Sequence, residues 1–167
     1  MFANISPTDL VIVFIAILVS MSIHEAMHAY TSHLLGDTTA KEHGRLTLNP
    51  LKHIDILTTV LLPVGLLALG LPPIFIAKPV PFNPERVKYE EFGAALIGIV
   101  GPFTNLFLAV LAAGIMRLTG VATGTEMFSV FSIFILVNLS FFVFNMIPFP
   151  PLDGSRLLYA FAPEPVQ

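Results

Sequence analysis

LVIVFIAILVSMSIHEAMHAYTSHLL, residues 10–35, carries His24, Glu25 and His28 at the inner end of an apolar run. At 1.5 Å per residue a helix of this length crosses about 30 Å of hydrocarbon. The run reads as a retained transmembrane helix and not as a signal-peptide core. No Lys or Arg precedes Lys41, and the apolar residues lead directly into the most chemically loaded part of the chain. His24-Glu25-Ala26-Met27-His28 is an H-E-x-x-H arrangement. Four residues advance a helix by about 6 Å and return to nearly the same face, so both imidazoles can reach one tetrahedral zinc ion. Glu25 beside them can accept a proton from water that the metal has acidified. Charged groups in a membrane span cost on the order of a few kcal/mol each, and ionisable residues placed there are functional candidates by default.

Composition supports the membrane reading. The 167 residues are 55% hydrophobic and 11% charged, with a mean hydropathy of +0.84, whereas a soluble domain carries about a quarter charged residues. Zero cysteines exclude disulfides, thiolate ligands and thiol nucleophiles, so a catalytic metal must be held by His, Asp or Glu. A net charge of −3 with only 8 Lys and Arg gives no basic surface, and nucleic acid is not an expected partner.

Four hydrophobic blocks follow one another, at 10–35, 54–77, 93–116 and 127–147, with polar segments at 36–53, 78–91 and 117–126 and a Pro-rich C-terminal stretch. Pro63, Gly65, Gly70, Pro72 and Pro73 interrupt the second block. Such backbone is tolerated at membrane depth only where protein or a wet cavity satisfies its polar groups, so a re-entrant hairpin beside a hydrated site is expected. Charge agrees. With a re-entrant block, Lys41, Arg45, Lys52, Lys78, Arg86, Lys88 and Arg156 share one side and only Arg117 lies on the other, as the positive-inside bias requires; a spanning block erases the bias. The expected fold is mainly α: a polytopic membrane bundle with about three crossings and a cytoplasmic mouth, formed by one integral-membrane domain over 1–167.

A catalytic zinc needs a third protein ligand. His33 lies about half a turn around the helix from His24 and points away, and His43 and His53 fall in a polar loop whose ordinary fate is solvation. Asp153 is the better candidate, although its segment taken alone reads more readily as an ordinary interfacial proline-rich turn. Pro148, Pro150 and Pro151 end the preceding helix and are expected to hold the chain extended, and Gly154 permits a tight turn after the carboxylate. If Asp153 joins the two histidines, the chain between them must cross the bilayer an even number of times. Three blocks intervene, so one must fail to cross, which is the topology the charges indicate.

Three motifs in order, His24-Glu25-x-x-His28, Gly101-Pro102-Phe103-Thr104-Asn105 and the Asn145-to-Gly154 segment ending in Leu152-Asp153-Gly154, make the chain resemble the site-2 protease family, in its short branch without a PDZ insert. The resemblance covers nearly the whole sequence. It implies that His24, His28 and Asp153 bind a single Zn2+ ion, that Glu25 activates water, and that Asn145 helps stabilise the oxyanion; from the residue alone, an amide near a helix end serves equally as a packing or capping group. Gly101 and Asn105 resemble the family's helix-packing motif, a structural assignment. By the same resemblance Arg45-Leu46-Thr47-Leu48-Asn49-Pro50 and Ile74-Phe75-Ile76-Ala77-Lys78-Pro79-Val80-Pro81 form short edge strands at the cytoplasmic mouth that receive an unwound substrate by strand addition; ordinary interfacial loops are the alternative. Family members often continue into a further transmembrane helix, so an end at Gln167 is what a truncated chain shows.

The expected activity is hydrolysis of peptide bonds in or near transmembrane helices of membrane-protein substrates, as in regulated intramembrane proteolysis, in a multi-pass protein of the plasma membrane. Two rivals carry different expectations. A metal-transport protein places His and Asp ligands at several depths, and a catalytically silent adaptor binds transmembrane helices without cleaving them. Oligomeric state has no signature in the sequence.

Overall fold

Ser6 opens the first helix. Its Oγ accepts the Asp9 amide at 3.0 Å, and Pro7 occupies a first-turn position where a missing N–H costs nothing. The computed structural model describes residues 6–71 and 77–161. Helix α1 (Pro7–Leu34) has two halves of different character. The first exposes Leu10, Val11, Phe14 and Ile15, as a lipid-facing surface does, and the second buries Ser20, Met21, Ser22, His24, Glu25, Ala26, His28, Ala29 and Ser32. Small residues dominate the buried set and allow neighbouring helices to approach closely.

Past α1 the chain turns through Gly36, whose φ of 104° favours glycine, into the short α2 (Thr39–Glu42). Asp37 ties this corner together. Its fully buried carboxylate accepts from Ser32 Oγ at 2.9 Å, from the Thr39 amide at 2.9 Å and from the Asn83 amide at 2.8 Å. Burial alone raises this carboxyl, but the hydrogen bonds from Thr39, Asn83 and Ser32 more than offset it and hold the pKa below the ordinary value. Because the folded value is the lower one, Asp37 contributes its full stability above the usual carboxylate range near 3.9 and loses it as pH falls through the depressed value. Asp37→Ala strands four donors, the Thr39 hydroxyl being the fourth, and is expected to cost about 2 kcal/mol or more, read as a lower unfolding midpoint and faster exchange of the Asn83 amide; an unchanged midpoint and unchanged exchange would show that the corner is held by other contacts.

Among its described residues the second hydrophobic block forms no helix long enough to cross. Asp55 Oδ1 caps it by accepting from Leu57 N and Thr58 N at 3.0 Å each. The first turns, Ile56–Leu61, are wound as a π-helix, and α3 (Leu62–Ala68) continues it. Pro63 accounts for the widened turn, since its ring collides with the carbonyl four residues earlier in a regular α-helix. The thirteen residues from Ile56 to Ala68 give at most about 20 Å of helix, short of a 30 Å hydrocarbon core. Gly70, at φ 73°, then ends the helix in a turn, with Leu71 N donating to Leu66 O at 2.9 Å. Lys78 N donates to His53 O at 3.0 Å, so the two flanks of the block meet at one point, as the expected re-entrant hairpin requires.

After Lys88 the chain enters α4 (Glu90–Leu118), which packs against α1, α5 (Glu126–Asn145) and α6 (Gly154–Phe161). Its packed face is built from Gly93, Ala94, Ala95, Gly98, Gly101, Asn105, Ala109 and Ala112. Thr125 caps α5 through its Oγ1, which accepts the Phe128 amide at 3.2 Å. Helices α1, α4 and α5 are, among the described residues, the three long and apolar enough to cross a membrane. The protein is a mainly helical membrane bundle.

Two expectations need correction. No strand forms among the described residues; residues 74–76 lie outside them. The 45–50 and 77–81 segments meet through a side chain instead of a ladder, with Arg45 Nη2 donating to Lys78 O at 2.9 Å and Pro79 O at 3.1 Å. Strand addition on 78–81 finds no free donor: Lys78 N is spent on His53 O, Val80 N on Glu25 Oε2, and Pro79 and Pro81 have none. The 146–153 segment is also not extended. It folds as successive tight turns, with Phe149 N on Ile147 O at 2.8 Å and Leu152 N on Phe149 O at 2.9 Å, and it leads into α6, a helix the Pro-rich composition hid.

Candidate metal centre

The inner end of α1 and the start of α6 meet across the middle of α4. His24 Nε2 and His28 Nε2 lie 3.0 Å apart, and Asp153 Oδ2 lies 3.0 Å from the first and 3.3 Å from the second. Crossing out along α4 and back along α5 returns the chain to the face where α1 ends, which brings residues 129 positions apart into contact.

The remaining nitrogen of each imidazole says what the centre can hold. His28 Nδ1 lies 2.6 Å from the Ile97 carbonyl, which can only accept, so the proton sits on Nδ1 and Nε2 carries a lone pair. His24 Nδ1 lies 2.6 Å from Asn105 Oδ1 and takes the same form. With both rings neutral, two lone pairs and a carboxylate oxygen converge, an arrangement that repels itself unless a cation, whether a metal ion or a proton, occupies the shared centre. Ligands of tetrahedral zinc at 2.0–2.2 Å are separated by about 3.3 Å. The donor set fits such an ion, and each histidine has the outer partner that fixes ligating tautomers.

Glu25 comes within 4.8 Å of both imidazoles, a looser approach than that of Asp153. Its Oε2 accepts the Val80 amide at 3.2 Å, which points one oxygen at the 77–81 segment and leaves Oε1 for a reactant. By distance Asp153 approaches the two imidazoles more closely than Glu25 does, and Glu25 stands beside the centre. Arg45, by gripping the Lys78 and Pro79 carbonyls, holds the Val80 amide in place.

Two cavities adjoin the centre. A groove of about 640 Å3 runs between Ala77 and Pro79 on one wall and Phe141, Phe144, Asn145, Ile147 and Phe149 on the other, with His24, Glu25 and Asp153 at its floor. Its lining is overwhelmingly apolar. A second of about 80 Å3 is lined by Glu25, His28, Asp153 and Arg156. Arg156 stacks over the Phe82 ring at 4.1 Å, and Gly98 makes room for it, since a Cβ there would stand 2.8 Å from its Cδ. Burial lowers the Arg156 pKa while the Asp153 and Glu25 carboxylates oppose the shift.

Asn145 lines the apolar groove and donates one N–H to Phe141 O at 3.0 Å, leaving its second N–H for another acceptor. His33, His43 and His53 stay out of the centre. His43 is exposed and bonds its own helix at Thr39 O, but His53 is fully buried, with Nε2 donating to Thr47 O at 2.8 Å, and is not solvated as expected of a polar loop. Its task is to anchor the base of the re-entrant block.

The helix-packing assignment of Gly101 and Asn105 was incomplete. A Cβ on Gly101 would lie 2.5 Å from His28 Nε2 and 2.7 Å from His24 Cε1, so the glycine makes space for the imidazoles themselves. Asn105 does bond across helices, to Asn138 Oδ1 at 2.9 Å, and it also orients His24. An amide in the apolar middle of α4 was the available signal.

Comparison with known proteins agrees with this architecture. The family model described as Peptidase family M50 matches residues 114–165. The chain is 40% identical over 162 residues to "Putative zinc metalloprotease YwhC" of Bacillus subtilis, covering 92% of this chain and 70% of that one. It is 32% identical to "Putative zinc metalloprotease Rip2" of Mycolicibacterium smegmatis, covering 93% of this chain and 60% of the relative. The protein of that name in Mycobacterium tuberculosis is 30% identical over 84% of this chain and 53% of its own length. The chain thus spans little more than half the length of its Rip2 relatives. No solved structure matches it. With extended identity to these relatives and the H-E-x-x-H and Leu152-Asp153-Gly154 segments brought together in a membrane bundle, the chain belongs to peptidase family M50, the site-2 proteases.

Proposed function

We propose that this chain is an intramembrane zinc metalloendopeptidase that binds one zinc ion through His24, His28 and Asp153 and hydrolyses peptide bonds in or near transmembrane segments of membrane-protein substrates. The observation that carries the reading is the convergence of two imidazole nitrogens and a carboxylate oxygen within 3.3 Å beside an apolar groove. The groove suits an apolar segment, and the floor suits hydrolysis. The mouth opens towards the cytoplasm of a multi-pass plasma-membrane protein, the side that the Lys and Arg distribution favours.

Zinc, when bound, supplies a Lewis acid that makes water acidic near neutral pH. Glu25 Oε1 takes the proton of the attacking water and returns it to the leaving amide nitrogen, so that hydroxyl goes to the carbonyl carbon and hydrogen to nitrogen. Val80 N–H keeps the Glu25 carboxylate from rotating away during both transfers. The second N–H of Asn145 donates to the carbonyl oxygen as negative charge builds on it. The substrate must unwind before its bond reaches the floor, and with the 78–81 donors taken the apolar side chains of the groove carry its recognition.

A purified sample reconstituted in liposomes tests the reading. Zinc content should be one ion per chain, a model transmembrane peptide should be cut, chelation should abolish cleavage and added zinc should restore it. Cleavage by metal-free protein would sink the proposal, as would zinc flux across the liposome without cleavage, the behaviour of the transport rival.

A further inference from the structure

Asn138 is the buried residue of α5, in a helix whose other described positions are exposed or half-buried, and the groove chemistry does not use it. Its amide closes a chain of bonds with a fixed direction. Nδ2 donates to Phe134 O at 2.9 Å and to Ser20 Oγ at 2.8 Å. A backbone carbonyl only accepts, so the nitrogen must face it and Oδ1 must face the other way, towards Asn105. Asn105 Nδ2 accordingly donates to Asn138 Oδ1 at 2.9 Å, with the Ser20 carbonyl a longer second acceptor at 3.5 Å, and this turns Asn105 Oδ1 onto His24 Nδ1 at 2.6 Å. The polarity set at Phe134 O thus ends in a protonated Nδ1 and a bare Nε2 on His24. Were Asn105 free to flip, its NH2 would confront Nδ1 and favour the tautomer protonated at Nε2, which offers no lone pair to the shared centre.

We propose that Asn138 is a positioning residue of the metal centre, acting through Asn105 to hold His24 in its ligating tautomer. The inference deepens the zinc reading above and rests on it. Packing glue between helices is the competing role, since buried amides in membrane bundles often serve it, and the two differ in what they do to metal affinity.

The test uses the full chain in detergent, with zinc affinity measured by competition against a chromophoric chelator. Asn138→Leu should weaken zinc binding by about 10–100-fold, the range for lost outer partners of ligating histidines. In an Asn105→Ala background the same change should cost no more than about 3-fold, because the link to His24 is already cut. Asn138→Asp should stay within about 3-fold of the parent, since a buried neutral carboxyl keeps an acceptor for Asn105 and a donor for Phe134 O. If the Leu variant does not fold, Asn138→Ala, which adds no bulk, carries the same expectation. Parental zinc affinity in the Leu or Ala variant overturns the proposal, and so does an equal loss with and without Asn105. A parent chain that binds no zinc overturns the function proposed above along with it, whereas parental binding that is indifferent to Asn138 overturns this inference alone.

Discussion

Glu25→Gln is expected to lower peptide cleavage by about 10²–10⁴-fold, the usual weight of a positioned acid–base group, while zinc stays bound at the parental stoichiometry. The substitution is nearly isosteric. A glutamine carbonyl can accept the Val80 amide as Glu25 Oε2 does at 3.2 Å, so the 77–81 wall stays where it is. His24, His28 and Asp153 keep their geometry because Glu25 is not among the closest three. What disappears is the group that takes a proton and returns it. Glu25→Ala makes a useful contrast, since it also strands the Val80 amide and should loosen the groove wall as well as stop catalysis. Cleavage and bound zinc measured on the same samples separate the outcomes. An unimpaired Gln variant would assign proton transfer elsewhere, and loss of zinc together with activity would make Glu25 a ligand and Asp153 the odd carboxylate out.

The parts of this molecule that were readable from sequence are those where residue type and position along the chain carry the information. His24 and His28 share a helix face by spacing alone, and Asp153 follows three prolines on the side that the crossing count assigns to it. The break in the second block could be read because Pro63 and Gly70 are poor residues for a straight span, and the His53–Lys78 bond brings the two flanks of the block together. The unread parts depend on groups without a residue signature. The Val80 N–H that steadies Glu25 is backbone, and nothing in the letters marks it. Arg45 counted as a solvent charge in the topology argument, yet it is buried and spent on two carbonyls. The expected strands failed for a related reason, because a segment with prolines at 79 and 81 has few donors to pair and those it keeps are taken. Asn105 and Asn138 were visible as polar residues in apolar helices, but their direction of bonding exists only once three helices are packed.

Gly101→Ala is expected to reduce zinc affinity by roughly 100-fold, the upper end of what disturbing a histidine's outer partner does, although it adds a single methyl group and favours helix. The added Cβ would lie 2.5 Å from His28 Nε2, 2.6 Å from His28 Cε1 and 2.7 Å from His24 Cε1, all well inside van der Waals contact. Such overlaps are cheap where a flexible side-chain tip can swing away. Neither ring is free to do so. His28 is tethered by Nδ1 to Ile97 O and His24 by Nδ1 to Asn105 Oδ1, both at 2.6 Å, so moving either imidazole breaks the bond that fixes its tautomer. Moving the backbone instead separates α4 from α1 along a face built of small residues. Either relaxation spreads three ligand atoms that now lie within 3.3 Å of one another. Gly114 supplies the control in the same helix, because a Cβ there meets nothing within 4 Å; Gly114→Ala should bind zinc as the parent does and lose no stability. Chelator competition on the two variants gives the comparison directly. Parental affinity in the Gly101 variant would mean that the imidazoles have slack, and the metal centre would then have to be looser than the packing of α1 on α4 requires.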